Sequence, residues 1–156
     1  MDYFQGVVAD YLRAHRSTFI NSEFLLQLDE GKVLGKGRYW YCDIVAVDFS
    51  QRGIFLCEVT YSKTVHALIK RLSFWNQHWV ALCNGIYRET GIPKDWSVKP
   101  WLFIPEERRG ILDDKLANIV GIGSEGCQIP RPDITYLEEV MPWKYDNHDR
   151  EPSRNE

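Results

Sequence analysis

The sequence predicts an α/β domain, because stretches with a helical apolar period alternate with runs suited to strands. Residues 2–15 set Phe4, Val7, Val8, Tyr11 and Leu12 at three- and four-residue steps, the signature of one buried helix face. Residues 38–47 (RYWYCDIVAV) and 53–61 (GIFLCEVTY) are rich in aromatic and β-branched residues, which suit a pleated, half-buried surface. Residues 64–87 return to the helical period, with Val65, Leu68, Leu72, Trp75, Trp79, Leu82 and Cys83 in one stripe.

Taken in order, the first helix is followed by a mixed segment, residues 17–28, that reads as a strand, and by the turn Asp29-Glu30-Gly31-Lys32. The two runs at 38–47 and 53–61 form a hairpin whose link has turn composition. The long helix over 64–87 places His66, Lys70, Ser73 and Gln77 opposite its apolar stripe and ends at Gly91-Ile92-Pro93. Residues 98–104 read as a short strand, 109–120 as a helix stopped by Gly121 and Gly123, and 134–137 as a last strand. Residues 144–156 carry almost no apolar side chain and read as a disordered tail, leaving one domain over residues 1–143.

Composition bounds the function. With 156 residues, 44% of them hydrophobic, the chain suits one domain with a real core. A formal charge of −3 provides no global positive field, so any site for a phosphate must be local. No apolar run is long enough to span a bilayer, and Asp2 and Asp10 stand where a secretory leader would be basic and then apolar; a cytoplasmic protein with no membrane partner is expected. Cys42, Cys57, Cys83 and Cys127 form no C-x-x-C pair and read as buried thiols. Gly35-Lys36-Gly37 reads as a turn, and residues 121–126 (GIGSEG) as a helix stop, since neither completes a phosphate-binding fingerprint. Trp75 and Trp79 belong to the core stripe.

Asp43 and Glu58 carry the chemistry. Each interrupts an apolar strand, where an ionised carboxylate is costly without a partner. If Asp48 pairs with Gly53 across a four-residue loop, Asp43 falls directly opposite Glu58, on the same face of the hairpin. A divalent ion with oxygen ligands relieves both the burial and the mutual repulsion; the alternatives are a solvated hairpin face, or an arginine such as Arg38 or Arg52 holding one carboxylate.

The segment CDIVAVDFSQRGIFLCEVT, with its Asp on one strand and Glu58-Val59-Thr60 on the next, resembles the PD-(D/E)XK nuclease superfamily. The resemblance spans roughly residues 2–104 and implies a restriction-endonuclease-like core, a mixed central sheet flanked by helices in αβββαβ order. It implies a metal-dependent nuclease acting on nucleic acid, DNA first, with Mg2+ or Mn2+ held by Asp43 and Glu58 and by the Val59 carbonyl. Thr60 stands where the motif has its lysine; it cannot supply positive charge, so Thr60 would order the attacking water while Lys63 or Lys70 carries the charge. The acidic residue often found on the first helix has Gln5 in its place, with Asp2, Asp10 and Glu23 as imperfect substitutes. His66 and Lys70, one helical turn apart, are candidate phosphate contacts. A different reading is a catalytically degenerate module that keeps the nuclease fold to bind nucleic acid or a protein partner. Whether the chain works alone, as a homodimer or in a larger complex is left open.

Overall fold

The computed structural model describes residues 2–120 and 129–141. Helix α1 (Tyr3–Arg13) leads into strands β1 (Thr18–Gln27), β2 (Tyr39–Asp48) and β3 (Gly53–Val59). Helices α2 (His66–Gln77) and α3 (Trp79–Thr90), strand β4 (Ser97–Ile104), helix α4 (Arg109–Val120) and strand β5 (Asp133–Tyr136) follow. The five strands make one sheet in sequence order, antiparallel from β1 to β3 and parallel from β3 to β5. An α/β architecture with a mixed sheet between helices is therefore what the chain adopts. No helix among the described residues is long and apolar enough to cross a membrane.

Two cores hold the helices to the two faces of the sheet. On one face Val8, Ala9 and Leu12 of α1 bury against Ile44, Ala46, Cys57 and Phe103. On the other, Leu68, Leu72 and Trp75 of α2, Leu82 and Ile86 of α3, and Leu112 and Leu116 of α4 bury against Val45, Ile54, Leu56, Leu102 and Ile104. Helix α1 starts where expected because the Asp2 carboxylate accepts from the Gln5 N–H at 2.8 Å, a side-chain cap on an otherwise unpaired donor. Helix α3 stops at Gly91, whose φ of 72° is the left-handed conformation glycine takes without penalty.

The long helix expected over residues 64–87 is two helices. His78, at φ −120°, ends α2 and begins α3, and its N–H is shared between the Phe74 and Trp75 carbonyls. The apolar stripe survives the break, and Trp75 and Trp79 are buried on either side of it, so periodicity alone carried no mark of the interruption.

The Gly35-Lys36-Gly37 segment is a turn, as expected. It is held by the buried Gln27 side chain, which donates to the Lys36 carbonyl at 2.6 Å and accepts from the Gly35 N–H at 3.1 Å. Cys42 and Cys57 are buried thiols; Cys83 is half-buried. Cys127, the glycines at 121–126 and the tail at 144–156 lie outside the described residues.

Candidate functional site

The hairpin takes the register derived above. Asp48 pairs with Gly53 and the ladder continues through Val47–Ile54, Ala46–Phe55 and Val45–Leu56 to Ile44–Cys57. The turn sets that register through Asp48, whose Oδ1 accepts from the N–H of Ser50 at 2.9 Å, the N–H of Gln51 at 3.3 Å and the hydroxyls of Ser50 and Ser17 at 2.7 and 3.0 Å. Beyond Ile44–Cys57 the backbone ladder stops, and the side chain of Asp43 takes over: its Oδ2 accepts from the Val59 N–H at 2.9 Å.

That substitution coincides with a change of phase in two strands. Ile44 and Ala46 face the α1 core, yet Cys42 lies in the opposite core, as does Val45. Strand β1 does the same, with Ile20 packed on the α1 core and Phe24 and Leu26 on the other. Strict alternation cannot place those residues so. The crossover falls at Asp43 and at Glu23, which sits between the Ser22–Ile44 and Phe24–Cys42 pairs with φ 51°. A local bend in both strands lets Asp43 reach across to β3.

Asp43 and Glu58 meet on a third residue. Arg71, on α2, places Nη1 against Glu58 Oε2 in direct hydrogen-bond contact and 3.5 Å from Asp43 Oδ1. Glu58 is only 1% exposed. Its Oε1 and the Arg71 Nε are both buried with no hydrogen-bond partner among the described residues. Burial pushes the Glu58 carboxyl well above the usual carboxylate range, the neighbouring Asp43 charge adds to the rise, and Arg71 only partly opposes it. A hydrogen bond with the Asp43 side chain also raises it, so burial and Asp43 together outweigh the single guanidinium. Burial also raises the Cys42 and Cys57 thiols well above their ordinary value, with Glu58 adding to each, which leaves both in the unreactive thiol form.

Arg71 corrects the expectation that Arg38 or Arg52 would hold a carboxylate. Arg38 pairs instead with Asp29 at 2.9 Å, and Arg52 is exposed in the turn at the far end of the hairpin. A sequence signal for Arg71 existed: it lies three residues after Leu68 and four before Trp75, so it flanks the buried stripe of α2.

Thr60 and Lys63 follow the carboxyl end of the parallel strand β3, at the edge where open α/β sheets place ligands. Thr60 follows the last residue of β3. Its N–H donates to the Phe103 carbonyl at 3.1 Å and its Oγ1 accepts from the Ser62 N–H at 3.2 Å. Lys63 is exposed in the loop between β3 and α2, past the end of the strand. Arg108 and Lys115 pin that loop, donating to the Ser62 and Thr64 carbonyls at 3.1 Å each. The loop closes on Val65, a buried β-branched residue held at φ 49°, a backbone conformation such residues rarely adopt. His66 and Lys70 are exposed on α2. Asp2 is the α1 cap, Asp10 pairs with Arg13 on the surface, and Glu23 is exposed across the ladder from Asp43.

No group of three or more His, Cys, Asp or Glu arranged to hold a metal ion occurs among the described residues. No protein-family model matches the chain, and no curated protein matches it.

Proposed function

We propose that this chain is a metal-dependent nuclease with a restriction-endonuclease-like core, hydrolysing phosphodiester bonds of nucleic acid, DNA first, with Mg2+ or Mn2+. The observation that carries the reading is Arg71. The resemblance lacks a lysine at Thr60, and Arg71 brings a permanent positive charge from a different element to the same two carboxylates.

The residues suit the ion they would hold. Asp43 and Glu58 offer hard carboxylate oxygens, a donor set that magnesium completes with water. Glu58 Oε1 is buried without a partner, an unmet electrostatic need at that point. A bound divalent ion polarises a phosphoryl oxygen and makes its water more acidic. The chain's own residues do the rest. Arg71 stays protonated at every relevant pH, so it serves no base role; once freed from Glu58 it presents a guanidinium to the phosphate. Thr60, whose Oγ1 already accepts from Ser62, keeps its hydroxyl proton to orient a water. Lys63, His66 and Lys70 stand in solvent, where they are available to backbone phosphates.

The same arginine supports a second reading. Its contact with both carboxylates does electrostatically what a metal ion would do, and a degenerate module would keep that arrangement to hold its fold while binding nucleic acid or a protein. Calorimetric titration with Mg2+ and Mn2+, followed in the same samples by nicking of supercoiled plasmid, separates the two. Wild type should bind the ion and nick. Asp43→Asn keeps the acceptor for the Val59 N–H but removes a charged ligand, and should abolish nicking while melting within a few degrees of wild type. Binding without nicking, or no binding at all, would select the non-catalytic module.

A further inference from the structure

A groove of about 520 Å³ lies between Trp40 on β2 and the outer face of α2. One wall is aromatic: Trp40 stacks on Phe74 with ring centroids 4.6 Å apart and planes at 30°, and Phe74 meets His78 at 4.7 Å. The other is a polar row, His66, Lys70, Ser73 and Gln77, at helical steps of four, three and four. That row runs about 16 Å along the helix at 1.5 Å per residue. No acidic side chain among the described residues lines the groove. Lys70 is exposed, makes no salt bridge with another described residue, and is the immediate neighbour of Arg71.

We infer that this groove seats a single-stranded segment of the nucleic-acid substrate, with a base stacked against Phe74 and Trp40 and its phosphates on Lys70 and His66. The inference rests on the proposed nuclease reading and narrows its substrate to one carrying unpaired nucleotides. Two observations combine. An aromatic wall offers a π surface that every base matches, and a polar row carrying the exposed Lys70 offers phosphate contacts; a ligand with both chemistries in one repeat is a nucleotide chain. A duplex keeps its bases stacked on one another and cannot present a ring face to Phe74. Trp75 and Trp79, the other tryptophans of this helical pair, are buried and unavailable for stacking.

The test is fluorescence anisotropy in EDTA with a fluorescein-labelled oligothymidylate and with a labelled duplex of the same length. Wild type should prefer the single strand by about ten-fold or more. Phe74→Leu keeps apolar volume against the core and removes the ring; it should weaken single-strand binding by roughly 5- to 150-fold and leave duplex binding unchanged. Lys70→Gln should weaken both and reduce the dependence of log affinity on log salt by about one. Circular dichroism melts of each variant exclude unfolding as the cause. Equal affinity for the two probes, no binding to either, or a Phe74→Leu protein that binds as wild type overturns the inference. Because the assay contains no metal ion, loss of plasmid nicking with the single-strand preference intact would overturn the nuclease reading alone, whereas nicking without that preference would overturn the groove alone.

Discussion

The two ends of one hairpin treat their carboxylates in opposite ways. At the turn, Asp48 accepts hydrogen bonds from two backbone N–H groups and two hydroxyls, and although burial pushes its carboxyl up, the Ser50 and Ser17 hydroxyls and the Gln51 and Ser50 N–H groups outweigh it and hold it below its ordinary value. At the open end, Glu58 is fully buried, leaves one oxygen unpartnered and is raised well above the carboxylate range. Asp48 is explained completely by the turn it closes. Asp43, Glu58 and Arg71 are more polar than the fold needs at that point, since an apolar trio would pack there at lower cost. That excess of polarity over what the fold needs is what the proposed function draws on.

Removing Arg71 should break the contrast most. Arg71→Met leaves two carboxylates facing each other in a buried position and should cost roughly 3–5 kcal/mol by urea denaturation. Adding Glu58→Gln to that variant should recover most of the loss, because the remaining pair no longer carries two negative charges. A single variant within about 1 kcal/mol of wild type would mean that Arg71 does not neutralise the pair.

The pH dependence of stability should differ in sign between the two ends. Glu58 is raised on folding, so its contribution is complete below the unfolded carboxyl value and declines as pH rises through the folded value, the window in which the folded protein alone holds the proton. Asp48 is lowered, so its contribution is complete above the unfolded value and is lost as pH falls through the folded one. Denaturation in EDTA across the acid to neutral range therefore should show the wild-type advantage over Glu58→Gln shrinking with rising pH, and the advantage over Asp48→Asn shrinking with falling pH. Curves of the same sign would show that Arg71 outweighs burial at Glu58.

The smallest effect sharpens the turn. Arg52 is exposed and holds φ 53°, a conformation that costs a side chain with a Cβ and costs glycine little. Arg52→Gly should raise stability by about 0.5–1 kcal/mol, read as an increase in melting temperature, and leave metal binding at the far end unchanged.

Much of this was legible in the chain. The aromatic and β-branched runs around Asp48–Gly53 specify the hairpin, and the turn chemistry of Asp48 specifies its register, because those interactions are local. Helix α4 and strand β4 fall where local periodicity places them, and Trp75 and Trp79 are core because they share the α2 and α3 stripe. The break at His78 was not legible, since a stripe continuous across one residue has the same period with or without it. Nor was the phase change at Asp43, which needs β1 and β2 to bend together.

By itself the sequence determined an α/β domain and a pair of carboxylates opposed across a hairpin, because strand alternation and a four-residue turn are short-range constraints. Only the tertiary structure decided what those carboxylates face. The crossover from β3 lays α2 over the sheet and brings Arg71, thirteen residues after Glu58, into contact with it. It also turns His66 and Lys70 outward beside Trp40 and Phe74. Such contacts depend on how elements pack across space, which no local pattern of residues records.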